Sequence, residues 1–205
     1  LQSIRDAAAI IASSEYVTCL TGAGISVESG IRPFRGPGGL WTEKGEPSMD
    51  GYRRFLRDPK GYWERRLENK SEFGLSLSDK EPNPGHLSLA RLEEIGVLKS
   101  LVTQNIDNLH YAAGSVNILE IHGNSKWYRC IDCMSRWPNE EFEVKDIPPT
   151  CPQCGGLVKT DTVMFGEPIP RKILERCFEE SERSDCMIVA GTSARSEERR
   201  VGKEC

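Results

Sequence analysis

The stretch TGAGISVESGIRPFRG, residues 21–36, decides how this chain is read. It follows a short apolar run at residues 16–20 and opens on Gly22-Ala23-Gly24. A strand running into Gly-x-Gly begins the dinucleotide-binding fingerprint. In that fingerprint two glycines let the main chain approach a pyrophosphate and a third opens the helix. Val27 stands where the third glycine belongs, and glycine, proline and arginine replace the helix. The stretch therefore predicts half a phosphate turn followed by a loop. Taken alone, its glycines serve equally well as ordinary strand-to-helix punctuation.

The surroundings narrow the reading. The 205 residues carry a net charge of −4 with acids and bases interspersed, unlike the clustered basic footprint of a nucleic-acid binder. No apolar run reaches membrane-spanning length, and no secretory core opens the sequence. A cytoplasmic location is expected, with neither nucleic acid nor membrane as a direct partner. The eight cysteines are then not expected to form a disulfide framework.

Strand and helix patterns alternate along most of the chain. Ile4, Ala7, Ala8 and Ile11 make a helical stripe, and Asn83-Pro84 reads as an N-cap with proline at the first helical position. Leu87, Ala90 and Ile95 supply much of the next apolar face, and Gly96 stops it. Residues 97–105 and 116–124 read as strands, 106–114 as a helix, 169–178 as a proline-started amphipathic helix, and 186–194 as a buried strand entering a glycine turn. Such alternation predicts an α/β fold, a parallel sheet covered on both faces. Residues 41–83 are polar and aromatic and predict short helices and loops.

Residues 124–160 break the alternation with short segments and turn chemistry. Cys130-x2-Cys133-x17-Cys151-x2-Cys154 has the spacing of a four-thiolate zinc site. A site closed by four thiolates leaves no open position, so one structural Zn²⁺ is expected, compensating for the small core of a module of about 40 residues. Cys19, Cys177 and Cys186 sit in apolar patterns and read as core residues.

Three strand ends carry polar groups: 21–26, 103–107 and 191–193. Ligands of parallel α/β sheets bind beyond the carboxyl ends of the strands. Here Gly22 and Gly24 would approach a phosphate while Ser26 adds a hydroxyl donor. With GAGIS and FRG (22–36), QNID (104–107), IHGN (121–124), the two CxxC pairs, FGE (165–167) and GTS (191–193) in this order, the chain resembles the sirtuins, NAD-dependent protein lysine deacylases.

The resemblance implies a Rossmann-like NAD-binding domain from residues 1–40, 84–123 and 161–194. A smaller domain would comprise helices and loops at 41–83 and a zinc-ribbon module at 124–160. By the same resemblance Gly22, Ala23, Gly24 and Ser26 lie on the phosphate side, while Phe34, Arg35 and Trp41 belong to the loop over the cofactor. Gln104 contacts the nicotinamide ribose, and Asn105, Ile106 and Asp107 line the nicotinamide pocket. Gly191, Thr192 and Ser193 hold the nucleotide further along. His122 is the implied general base, suited by an imidazole that titrates near neutral pH. Val163, Phe165, Gly166 and Glu167 would pair with an acyl-lysine peptide by strand addition. The products would be free lysine, nicotinamide and O-acyl-ADP-ribose. Protein ADP-ribosyl transfer, or a preference for succinyl, malonyl or longer acyl groups, remains an alternative within the family. His86 and His110 fall within helix patterns and read as structural.

Departures from the family pattern are local. Arg32-Pro33 replaces proline followed by threonine or aspartate, and Thr160 and Thr162 stand where proline and an apolar residue are common. Tyr62-x-x-Arg65 has the spacing used for acidic acyl groups, but in the family register Arg66 and Asn69 occupy those positions, which favours short neutral acyl groups. Residues 195–205 lack an apolar period and resemble a translated sequencing adapter. The natural protein is therefore expected to continue past Ala194. A missing C-terminal part, with a second peptide loop and the adenine contacts, would put the activity of the chain as given in question.

Overall fold

The apolar run before the glycines forms strand β1 (Val17–Thr21), buried at every position but Leu20. In the computed structural model, which describes residues 2–68, 77 and 79–192, helix α1 (Gln2–Ser13) precedes it. A 3-10 helix (Ala23–Ser29) follows, then three short helices, α2 (Leu40–Lys44), α3 (Gly51–Arg57) and α4 (Pro59–Glu68). The alternation resumes with α5 (Pro84–Glu94), β2 (Leu98–Thr103), α6 (Leu109–Ala112) and β3 (Ile118–Glu120). Strands β4 (Trp127–Cys130), β5 (Arg136–Pro138) and β6 (Val158–Thr160) interrupt it before α7 (Arg171–Arg183) and β7 (Cys186–Ala190).

The strands make a parallel sheet ordered β3-β2-β1-β7 and an antiparallel sheet ordered β5-β4-β6. Side chains alternate across each strand, so the parallel sheet builds two cores. Val17, Cys19, Leu98 and Leu101 pack with Leu89 of α5. Val102, Leu119 and Ile121 pack with Cys177 of α7. This is the expected parallel sheet with helices on both faces. The antiparallel sheet is too small to enclose a core alone and borrows Trp63 from α4, which packs with Cys130, Cys151 and Val158. The Trp63 indole donates to the Val158 carbonyl at 2.8 Å.

Three expectations shift. The buried face of α5 carries His86, Leu89 and Ala90, while Leu87 and Ile95 are 52% and 53% exposed. The face turns because His86 points inward. Asn83 caps the helix through Gly85 N and His86 N, and the His86 ring accepts from Asn83 N in return, a capping box with histidine in the usual Glu or Gln position. Strand β7 is half exposed, with Met187 and Val189 outward, because among the described residues it pairs only with β1. The helix read at 106–114 shrinks to a single turn. Residues 195–205 lie outside the described residues.

Where the two sheets meet, six charges are interlinked. Arg129 is 3.3 Å from Asp161 and 2.9 Å from Glu167. Arg136 reaches Asp161 at 2.5 Å and Glu120 at 3.2 Å, and Lys159 reaches Glu167 at 3.0 Å. Three cations face three carboxylates, so the cluster is neutral. Burial pushes the Asp161 and Glu120 carboxyls up and the Lys159 ammonium down, toward their uncharged forms, and the pairing opposes it. Removing one partner from such a buried pair costs about 3–5 kcal/mol.

His110 is buried beneath the ends of β1 and β2. Thr21 donates its hydroxyl to Thr103 at 2.8 Å, so the His110 Nε2–H donates to Thr21 at 2.9 Å. Burial, then the neighbouring His86, depresses the His110 pKa from 6.5 to about 4. The unfolded chain therefore takes up this proton first as the pH falls. His110 contributes stability that is complete above about pH 6.5 and lost on acidification toward about pH 4. Over that window the loss amounts to about 3 kcal/mol. His110→Gln keeps an N–H donor without the titration, so its melting temperature should fall less steeply between these pH values. Parallel melting profiles for variant and wild type would contradict this account.

Candidate functional site

The first and last turns of the parallel sheet are in main-chain contact. Gly24 N donates to Gly191 O at 2.7 Å, and Gly22 N donates to Ala190 O at 3.1 Å. A Cβ on Gly24 would lie 2.7 Å from Gly191, one on Gly22 2.7 Å from Thr192, and one on Gly191 2.1 Å from Ile25 N. The glycines are thus required by the packing of one turn on the other. Ser26 is fully buried, donates to Asp107 Oδ2 at 2.7 Å and accepts from Asn105 Nδ2 at 3.1 Å, so its hydroxyl proton is used on Asp107. His86 Nδ1 accepts from Asn83 N, which leaves Nε2–H directed at Ser26 Oγ, 3.3 Å away. Burial holds the His86 pKa below its ordinary value, keeping the ring neutral.

Gln104 joins three turns. Its amide nitrogen donates to Thr192 Oγ1 at 3.0 Å, its main-chain N to Thr21 O at 3.0 Å, and its carbonyl lies 3.0 Å from His122 Nδ1. A carbonyl only accepts, so the Nδ1 of neutral His122 carries the proton and Nε2 keeps a free lone pair. Asn105 uses its amide protons on Gly22 O and Ser26, Ile106 O accepts from Ser125 N, and Asp107 Oδ1 accepts from Leu109 N. Ala23 begins the 3-10 helix beside Gly24. The ends of all four parallel strands thereby collect Ala23, Gly24, Gln104–Asp107, His122, Gly191 and Thr192 on one edge. Ser193 lies outside the described residues.

Past the glycines the chain folds over itself. The Phe34 and Trp41 rings lie 4.7 Å apart, and the Arg35 guanidinium sits 4.5 Å above Trp41 while pairing with Glu46 at 2.9 Å. Arg32 donates to Gly38 O at 2.9 and 3.1 Å and pairs with Glu43, closing the loop from the other side. Trp41 in turn meets Phe165 edge-on at 5.7 Å. The loop thus touches the segment assigned to peptide binding. There, Val163 N donates to His122 O at 2.8 Å and Tyr52 N to Phe165 O at 3.0 Å. Gly166 has φ +80°, and a Cβ on it would strike Met49 O. Glu167 is turned inward to Arg129 and Lys159. Tyr62 OH is 2.7 Å from Thr160 Oγ1, and Arg65 pairs with Asp58. Asn69 lies outside the described residues. A cavity of about 130 Å³ between α7 and the sheet has His122 in its wall, beside Leu20, Val102, Ile121 and Cys177.

The four cysteines of the antiparallel sheet converge. Their sulfurs lie within 4.8 Å of one another, with Cys130–Cys154 at 3.5 Å and Cys133–Cys151 at 3.6 Å, and none forms a disulfide. Tetrahedral coordination at about 2.3 Å per thiolate demands sulfurs about 3.8 Å apart, so the set fits a zinc ion.

Sequence reasoning missed Asn124. It is fully buried and donates from Nδ2 to Asn108 at 3.0 Å and to Glu120 at 2.5 Å. Its main-chain N donates to Asp161, fixing the loop that carries His122. A polar residue two positions after the histidine was the available signal.

The Sir2 family profile matches residues 22–197. An NAD-dependent protein deacetylase of Caldivirga maquilingensis is 42% identical over 197 residues, 94% of this chain and 74% of the relative. An NAD-dependent protein deacylase of Aeropyrum pernix is 42% identical over 196 residues, 94% of this chain and 77% of its own length. Among solved structures, a mutant Sir2 homologue in complex with ADP ribose superposes with a TM-score of 0.76 at 38% identity, covering 94% of this chain and 76% of that one. A Sir2–p53 peptide–NAD+ complex gives 0.74 at 31% identity, covering 95% and 78%. The chain belongs to the Sir2 family.

Proposed function

We propose that this chain is an NAD-dependent protein lysine deacylase with His122 as its general base. The observation that carries the reading is the Nδ1 contact of His122 with Gln104 O at 3.0 Å, which leaves Nε2 as the proton acceptor at the strand edge. The donor set fits NAD. Main-chain atoms of Ala23 and Gly24 suit the phosphate side, the Gln104 amide suits ribose hydroxyls, and Asn105, Ile106 and Asp107 suit a carboxamide. Gly191 and Thr192 suit the rest of the nucleotide, and Ser193 is assigned there by the family resemblance alone. NAD, when bound, supplies an ADP-ribosyl group with nicotinamide as its leaving group.

The protein's part is to orient and to move one proton. Phe34, Arg35 and Trp41 form a cover that excludes water, and His122 accepts a proton at Nε2. Residues 163–167 present main chain to an extended peptide, while the acyl-lysine reaches past them toward His122. Short neutral acyl groups are favoured, since Arg66 and Asn69 stand where a tyrosine and an arginine would receive an acidic acyl group. No described helix is long and apolar enough to cross a membrane. The free thiols suit a reducing compartment such as the cytoplasm.

Cys130, Cys133, Cys151 and Cys154 are proposed to hold one structural Zn²⁺. With four thiolates around it the ion has no open position for substrate.

Mass spectrometry of the full-length protein with NAD and acetyl-, succinyl- and longer acyl-lysine peptides tests the assignment. Nicotinamide should be released only when an acyl peptide is present, with O-acyl-ADP-ribose formed and the acetyl peptide turned over best. His122→Ala should lower turnover by about 10²-fold or more without shifting the melting temperature. Hydride transfer to NAD, or turnover unaffected by His122→Ala, contradicts the reading. A strong chelator should release zinc and expose Trp63, seen as a red shift in tryptophan fluorescence. Unchanged fluorescence after metal removal contradicts a structural ion.

A further inference from the structure

Segment 163–166 belongs to no strand, yet it must be held in place to pair with a peptide. One buried ion pair brackets it. The Lys159 ammonium donates to Thr160 O at 2.9 Å and Thr162 O at 2.7 Å, on the chain entering the segment. Its third direction meets Glu167 Oε2 at 3.0 Å, on the chain leaving it. All three ammonium donors are used. Glu167 closes the excursion itself, since its N donates to Met164 O at 2.9 Å and its Oε2 accepts from Met164 N at 2.8 Å. Its other oxygen accepts from Arg129 NH2 at 2.9 Å. Lys159 is 0% exposed and the Glu167 side chain 7%.

Stability alone is a poor reason for such a pair, because well-packed apolar residues replace buried ion pairs at little or no cost in stability. What apolar residues lack is direction. Three ammonium donors and two carboxylate oxygens make five contacts that hold Thr162, Met164 and Glu167 relative to β4 and β6. We infer that Glu167 and Lys159 are positioning residues that set the 163–166 segment in the geometry required to bind acyl-lysine peptide. Through Arg129, the antiparallel sheet is the platform on which that geometry is set. The inference rests on the reading of 163–166 as the peptide side of the site. The Glu167 side chain then acts from beneath the peptide and does not touch it.

The test separates positioning from folding. Glu167→Gln leaves Lys159 buried with less compensation and is expected to lower the melting temperature. Lys159→Met with Glu167→Gln removes one charge of each sign, keeps the remaining cluster neutral, and is expected to restore melting close to wild type. Calorimetric titration with an acetyl-lysine peptide and, separately, with ADP-ribose then reads the two sides of the site. The double variant should bind peptide about tenfold or more weakly and ADP-ribose with wild-type affinity. Peptide affinity that returns together with the melting temperature overturns the positioning role and leaves the reading of the segment standing. A full-length wild-type protein that binds ADP-ribose but no acyl-lysine peptide overturns the reading of the segment and the inference with it.

Discussion

The main-chain contact from Gly24 N to Gly191 O, 2.7 Å long, is the constraint on which the site depends. It joins the turn after β1 to the turn after its neighbour β7, with no room for a Cβ on either side. A dinucleotide fingerprint takes its third glycine from the helix that follows. Here the third close approach comes from Gly191, in a distant part of the chain. With the helix freed of that role, the segment after Gly22 winds as a 3-10 turn. That turn places Ser26 under the strand ends and lets the following loop fold toward Trp41 and Phe165. The polar atoms of four strands thereby meet on one edge without a long loop to bring them there.

His122 stands between two kinds of buried network. On one side the partners are neutral apart from Asp107. They are the Gln104 carbonyl, Thr21, Thr103, Ser26, Asn105, His86 and His110. Burial keeps His86 and His110 uncharged, so neither repels a proton placed on His122 and neither offers one. On the other side the loop is held through Asn124 by Glu120 and Asp161, which are paired with Arg136 and Arg129. Neutral partners set the tautomer and ionic partners set the position.

Features governed by local chemistry were legible in the sequence. A proline at the first helical position after asparagine marked α5 within a residue, and the spacing of two CxxC pairs brought four sulfurs together. The apolar period at 173–178 found α7. Features governed by partners far along the chain were not legible. Leu87 reads inward from its apolar character, whereas the interior partner of His86 is Ser26, 60 residues away. The partners of Ser26, Asp107 and Asn105, lie about eighty residues away and leave no local trace. Strand β7 was read as buried from its composition, whereas burial depends on which strands flank it. The charge cluster was invisible, since Arg129, Arg136 and Lys159 sit in alternating short segments that look like solvated surface.

The same distinction explains how a metal with no open coordination position bears on the chemistry. Strands β4, β5 and β6 are three or four residues long, too short to hold their register by pairing alone. Trp63 supplies a core from outside, and the four cysteines pin the ends of β4 and the turn before β6. Arg129 precedes Cys130 directly, and Lys159 follows Val158 of the same core. Order imposed by the thiolates at the end of β4 passes to the next rung of the ladder, where Arg129 and Lys159 are paired. Those cations fix Asp161 beneath the His122 loop and Glu167 beneath segment 163–166. A zinc ion held by the four thiolates would therefore act on the site through geometry and would need no bond to anything that reacts.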